Sequence, residues 1–336
     1  MKVCICGGGS LGHVIAGWSA AKAKGQVSVY TGRPGKWASD IVVDTPEGDK
    51  LTGHIFKVSD DPREVVSPAD VVLFCYPGYL IESTLKRLKP FFRKDAFIGS
   101  VFSSTGFFFD AREVLAPDQP LWGFQRVPFI ARVGEYGHSA HLLGYKSELK
   151  VAVENVPTEE KLSFAEFLSE WFERKVTLLN NYFEASLSNS NPLLHPAVLY
   201  DMFAGDKVYD RKIYLYREWS ESAAELLIKM DEEFFRLLEV LPVRRGFLPT
   251  ILDYYESKDA ASLAAKLRSI PAFQNLEAPM KQGPTGWVPD YSSRYFSEDF
   301  PYGLKLICTL AHEKGVPVPT LDRVLEWGMS RIQTLS

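Results

Sequence analysis

The sequence predicts an α/β unit followed by an all-α unit, on three observations. The apolar run Val3-Cys4-Ile5-Cys6 leads at once into Gly7, Gly9 and Gly12, spaced G-x-G-x-x-G. Further continuous apolar runs, typical of strands buried on both faces, recur as far as about Leu179. From about Tyr182 onward the apolar residues instead recur at steps of three and four. The expected division is residues 1–181 and 182–336.

The first element is a buried parallel strand, and glycines at this spacing let the chain turn tightly, approach a pyrophosphate and pack the next helix on the strand. A small-residue helix follows, from Val14 to Ala23, with Gly25 ending it and Val27-Ser28-Val29-Tyr30 forming the second strand. One βαβ unit within about 30 residues marks a Rossmann-type dinucleotide site rather than a ligand-free glycine turn. The amides of Gly9, Ser10 and Leu11 at the helix start are expected to face the phosphates. The loop after the second strand, Tyr30-Thr31-Gly32-Arg33-Pro34-Gly35-Lys36, holds no carboxylate before Asp40 to take a ribose 2′-hydroxyl. NADP is therefore expected ahead of NAD. Arg33 would meet the 2′-phosphate, because its planar fork matches phosphate oxygens, with Lys36 as a second candidate and Thr31 in the same loop.

Short strands at Ile41–Val43 and Leu51–Phe56 read as an inserted hairpin around a Pro-Glu-Gly-Asp turn. The run Val71-Val72-Leu73-Phe74-Cys75 is a central strand, and its carboxyl end, Tyr76-Pro77-Gly78-Tyr79, should lie near the cofactor. A helix over 80–88, a strand over 97–101, and strands near 121–125, 140–144, 150–153 and 175–179 complete the α/β unit. In the second unit Trp219, Ala223, Leu226, Met230, Phe234, Leu237 and Leu241 line one face of a long helix that Pro242 stops. Helices follow over 260–268, 302–314 and 321–332, the last capped by Thr320 after Pro319, and the segment 275–295 reads as a long loop.

At 336 residues and 46% apolar composition the chain can bury two cores. A net charge of −4 argues against general nucleic-acid or anionic-membrane binding. No window resembles a membrane span or a signal peptide, so a cytoplasmic protein is expected. Cys4, Cys6, Cys75 and Cys308 read as reduced core thiols, with no metal site. Nothing in the sequence fixes the oligomeric state, though a helical face could pair two chains as a homodimer.

Hydride transfer to a carbonyl or imine needs a proton donor, and histidine titrates closest to neutrality. Of the six histidines, His195 stands out in Asn191-Pro192-Leu193-Leu194-His195-Pro196, where two prolines four apart force the backbone to bend or to start a helix. Asp299, in Glu298-Asp299-Phe300-Pro301-Tyr302-Gly303, reads either as part of a helix start or as a carboxylate that orients His195. A structural role for either residue stays open on local grounds.

Taken together, the glycine fingerprint, the run over 30–37, the Asn-Pro-x-x-His-Pro segment and the Glu-Asp-x-Pro-x-Gly segment resemble the octopine/nopaline (opine) dehydrogenase family. The resemblance runs through both predicted domains in order. It implies a helical C-terminal domain like that of 6-phosphogluconate dehydrogenase. It also implies a reductive condensation: an amino acid joins a 2-oxo acid, and NAD(P)H reduces the imine to a secondary amine. By the same resemblance His195 is the acid/base residue, Asp299 its partner and Arg294 a clamp for the oxo-acid carboxylate, with Asn191 in the substrate-binding set. Gln125 is expected to face the small-molecule substrates, and Arg126 reads equally as a structural ion-pair residue. No segment matches a defined amino-acid pocket, which leaves the amine open. Two other readings remain: a simple 2-oxo acid or ketopantoate-type reductase, for which no lysine motif is found around Lys207 or Lys212, and a non-catalytic NADP-binding sensor.

Overall fold

The computed structural model describes residues 1–22, 25–205 and 207–333 and divides into two compact units, Met1–Leu187 and Ser188–Ser336. In the first, β1 (Lys2–Cys6), α1 (Ser10–Lys22) and β2 (Gln26–Tyr30) form the expected βαβ unit, although Ala23, the expected helix end, lies outside the described residues. The strands β3 (Asp40–Asp44), β4 (Lys50–His54) and β5 (Lys57–Ser59) come next, then α2 (Pro62–Val65), β6 (Val71–Phe74), α3 (Gly78–Leu88), β7 (Phe97–Ser100) and α4 (Phe107–Val114). The unit ends with β8 (Leu121–Phe124), β9 (Phe129–Val133), β10 (Ser139–Tyr145), β11 (Glu148–Glu154), α5 (Thr158–Phe172), β12 (Lys175–Leu178) and α6 (Tyr182–Ser186).

Eight strands form one sheet in the order β12-β11-β8-β7-β6-β1-β2-β5, parallel except for the β11–β8 pair. Chain order reverses between β1 and β6, where ligands bind in open α/β sheets. The predicted hairpin β3–β4 is present, but it belongs to a second sheet, β4-β3-β10-β9, and not to an extension of the first. Helix α1 packs on this second sheet as well as on β1 and β2. Its small residues allow this: a Cβ on Gly17 would sit 2.5 Å from Val43 Cγ2, and one on Gly53 would sit 2.2 Å from the Gly17 carbonyl oxygen. Gly12 through Ser19 are accordingly buried without a break, as in a helix covered on all sides. Aromatic residues fill the core on the other flank, where Trp122, Phe124, Phe129, Phe164 and Phe172 make edge-to-face, tilted and stacked contacts.

The first unit keeps α6 because Tyr182 and Phe183 pack on Phe108 and Phe109 of α4, and the Tyr182 amide donates to Glu154. The second unit holds α7 (Asn191–Phe203), α8 (Glu221–Val240), α9 (Ile251–Tyr254), α10 (Ala260–Ser269), α11 (Arg294–Ser297), α12 (Lys305–Glu313) and α13 (Pro319–Gln333). The segment expected as a loop also carries a small hairpin, β13 (Met280–Gln282) with β14 (Trp287–Pro289). The expected cap of the last helix is corrected. It starts at Pro319, and its first amides, Thr320 and Leu321, donate to the buried carboxylate of Glu233 on α8 at 2.9 to 3.0 Å. Among the described residues no helix is long and apolar enough to cross a membrane. All four cysteines are free thiols, three of them buried.

Candidate active site

In the second unit the two proline-bearing segments meet. Helix α7 opens at Asn191 with Pro192 in its first turn, where a missing amide costs nothing. Pro196 lies one turn further on and offers no amide to the Pro192 carbonyl, so the turn that carries His195 is open to outside partners. From the other side, Asp299 precedes a single π-turn over Phe300–Leu304, in which the Leu304 amide reaches back to the Asp299 carbonyl at 2.8 Å. A Cβ on Gly303 would come within 2.7 Å of Pro192 Cγ, so only glycine lets this turn lie against the start of α7.

The result is a dyad. His195 Nδ1 lies 2.8 Å from Asp299 Oδ2, with side chains only 10% and 20% exposed. A carboxylate accepts, so Nδ1 carries the proton and Nε2 presents its lone pair in the neutral ring. That lone pair faces the Tyr216 hydroxyl at 3.1 Å, which donates to it. Tyr295 stands edge-on to the imidazole with ring centroids 4.8 Å apart, and Tyr216 stacks on Phe273 at 4.3 Å. Burial pushes the Tyr216 hydroxyl well above its ordinary range, so it stays protonated as the donor. Tyr216 and Tyr295 were not picked out as candidates from the sequence. Tyr216, between Leu215 and Arg217, belongs to no motif, and it is the fold that brings it to Nε2.

The other expected residues of this unit lie nearby in sequence. Arg294 opens α11, and its exposed guanidinium makes a two-pronged contact with Glu298 at 2.8 and 2.9 Å, the geometry by which it would hold a substrate carboxylate. Asn191 is the first residue of α7, and its amide donates to Asn189 at 3.3 Å. Gln125 belongs to the first unit, just past β8, where its amide donates to the Lys150 carbonyl.

The first unit assembles the remaining residues around the glycine turn. Gly7 has φ +122°, and a Cβ there would press on the Cys75 carbonyl at 2.9 Å and on the Tyr76 ring at 3.3 Å. A Cβ on Gly12 would lie 2.0 Å from the Gly7 carbonyl oxygen, whereas one on Gly9 would meet only open space. The turn thus closes on its own strand and leaves Gly9, Ser10 and Leu11 at the opening of α1, the cradle a pyrophosphate requires. Tyr76 and Pro77 follow β6 directly, and Pro77 sits at the N-cap of α3. Thr31 is buried past the end of β2, where its amide donates to the Ser59 carbonyl, and Arg33 and Lys36 are exposed in the following turn. His13 is structural. Its Nδ1 donates to the Gly9 carbonyl at 2.9 Å and its Nε2 accepts from the Gly137 amide at 2.8 Å, while burial pushes its pKa down and keeps it neutral.

Comparison with known proteins agrees with this architecture. Residues 178–331 match the family model described as "NAD/NADP octopine/nopaline dehydrogenase, alpha-helical domain". The chain is 25% identical to the octopine dehydrogenase of Mizuhopecten yessoensis, covering 99% of this chain and 90% of that one. It is 27% identical to the opine dehydrogenase of Haliotis discus hannai, with 97% and 89% covered. A solved octopine dehydrogenase structure with NADH and L-arginine superimposes with a TM-score of 0.88 at 23% identity, covering 99% and 90% of the two chains. With the family match over residues 178–331 and relatives aligned along nearly its whole length, the chain is similar throughout to the octopine/nopaline (opine) dehydrogenases.

Proposed function

We propose that this protein is an opine-type dehydrogenase: it joins the amino group of an amino acid to a 2-oxo acid and reduces the imine to a secondary amine dicarboxylate. The observation that carries this reading is the His195–Asp299 dyad at 2.8 Å in a chain that also presents an open glycine cradle. When bound, the reduced nicotinamide supplies the hydride. The protein supplies the proton: with Nδ1–H held by Asp299, His195 takes up and releases its proton at Nε2, and the carboxylate stabilises the imidazolium. Arg294 holds the carboxylate of the oxo acid by exchanging Glu298 for substrate, Asn191 is a further substrate contact of the second unit, and Gln125 is the substrate contact of the first. Condensation releases one water, the imine carbon gains the hydride, and the imine nitrogen gains the proton.

The cofactor end favours NADP over NAD. Arg33 and Lys36 are exposed in the loop after β2, and Asp40, the first carboxylate downstream, opens β3. Reduced-cofactor oxidation with pyruvate, with and without a pool of amino acids, tests the reading. Turnover that needs both partners is expected, and turnover with the oxo acid alone would instead indicate a simple reductase.

A further inference from the structure

The turn over Gly134–His138, which joins β9 to β10 of the second sheet, is bolted onto the nucleotide loops from more than a hundred residues away. The Gly137 amide donates to His13 Nε2, its carbonyl accepts from the Ala38 amide at 3.0 Å, and a Cβ on Gly137 would lie 2.0 Å from the Lys36 carbonyl oxygen. This anchoring delivers Tyr136 to the loop after β2. Its hydroxyl is 3.4 Å from Thr31 Oγ1 and would lie 2.5 Å from a Cβ on Gly8. Its ring stands edge-on to His13 and Trp37, which themselves stack at 4.3 Å. The guanidinium carbon of Arg33 sits over the Tyr136 ring, 5.6 Å from its centroid.

We propose that Tyr136 is a specificity-determining residue of the cofactor site: its ring face holds the Arg33 guanidinium where the 2′-phosphate of NADP(H) arrives. The inference rests on the reading of the first unit as a nicotinamide dinucleotide site. In this fold the residues just past the second strand meet the ribose 2′ position. An exposed arginine there spends most of its time in unproductive rotamers unless something orders it. A tyrosine face does so without neutralising the charge, so the fork stays available to phosphate. The ring is fixed in turn by the His13–Trp37 stack and by the anchored Gly137, so the second sheet takes part in choosing the cofactor.

The test is calorimetric titration of the full chain with NADPH and with NADH. Tyr136→Leu should weaken NADPH about three- to tenfold and NADH by less than about twofold, in keeping with the worth of a cation–π contact. Tyr136→Phe, which keeps the ring, should stay within about twofold of wild type for NADPH. In an Arg33→Ala background Tyr136→Leu should cost nothing further for NADPH. Equal weakening of both cofactors, a Phe variant as impaired as the Leu variant, or full additivity with Arg33→Ala would overturn the proposal. A wild-type protein that binds neither cofactor would remove the underlying reading of the site, and that outcome is distinct from any of these.

Discussion

Replacing Asp299 by Asn probes the dyad with the smallest change of shape. The carboxylate lies 2.8 Å from Nδ1, and its side chain is 20% exposed. Two unit charges about 4 Å apart attract by about 4 kcal/mol at an effective dielectric of about 20. An amide keeps the contact and loses that attraction, so the imidazolium formed when His195 takes up a proton is destabilised by up to this amount. At about 1.4 kcal/mol per factor of ten, the rate falls by up to about a thousandfold, within the range seen for loss of general acid–base catalysis. The assay is steady-state loss of reduced-cofactor absorbance with saturating oxo acid and amine, alongside cofactor titration to show that binding in the first unit is intact. A decrease of about a hundred- to a thousandfold in kcat with unchanged cofactor affinity is the expected result. A loss below about tenfold would refute the argument, because it would mean that His195 works without an oriented, charge-compensated ring.

The remaining predictions concern how the fold supports the two sites. Gly303→Ala drives a Cβ into Pro192 at 2.7 to 2.9 Å, so it should lower kcat while leaving cofactor affinity untouched; unaltered kcat would show that the π-turn does not set the dyad. Gly17→Ala forces a Cβ to within 2.5 Å of Val43 Cγ2 and should cost about 1–3 kcal/mol of stability in urea unfolding, whereas a neutral result would mean that α1 and the second sheet are less tightly packed than described. His13 is held neutral by burial, with its folded pKa below the ordinary 6.5. Its contribution to stability is therefore complete above about pH 6.5 and is lost as pH falls through the lower folded value. The stability advantage of wild type over His13→Gln should shrink between about pH 8 and about pH 5.5, and an advantage independent of pH would contradict the assignment.

The elements that the sequence disclosed are those with a single strong period. The β1-α1-β2 unit, the central β6 and the long α8 all follow from continuous apolar runs or from steps of three and four. The second sheet was hidden because its strands come from two distant stretches. Strand β9 does alternate, with Phe129 and Ala131 buried and Ile130 and Arg132 exposed, but it is short and lies next to β10 with its irregular register. Helices α4 and α5 were not marked, although α5 opens with Glu159 and Glu160 in its first turn. In the site, prolines and a glycine at fixed offsets made the segments of His195 and Asp299 visible, since each records a backbone constraint. Tyr216 and Tyr136 were invisible for the opposite reason: their roles come from contacts made across the fold, and no local pattern records those.

Identifying the product separates an opine-type dehydrogenase from a simple reductase. Protein, reduced cofactor, pyruvate and an amino-acid pool would be incubated, and the mixture analysed by mass spectrometry with wild type and His195→Ala in parallel. Wild type is expected to form a secondary amine with the combined mass of one amino acid and pyruvate, less one water and plus two hydrogens, and the variant only a trace of it. A reduced hydroxy acid with no amine incorporated, or the secondary amine formed equally by His195→Ala, would contradict the proposed function.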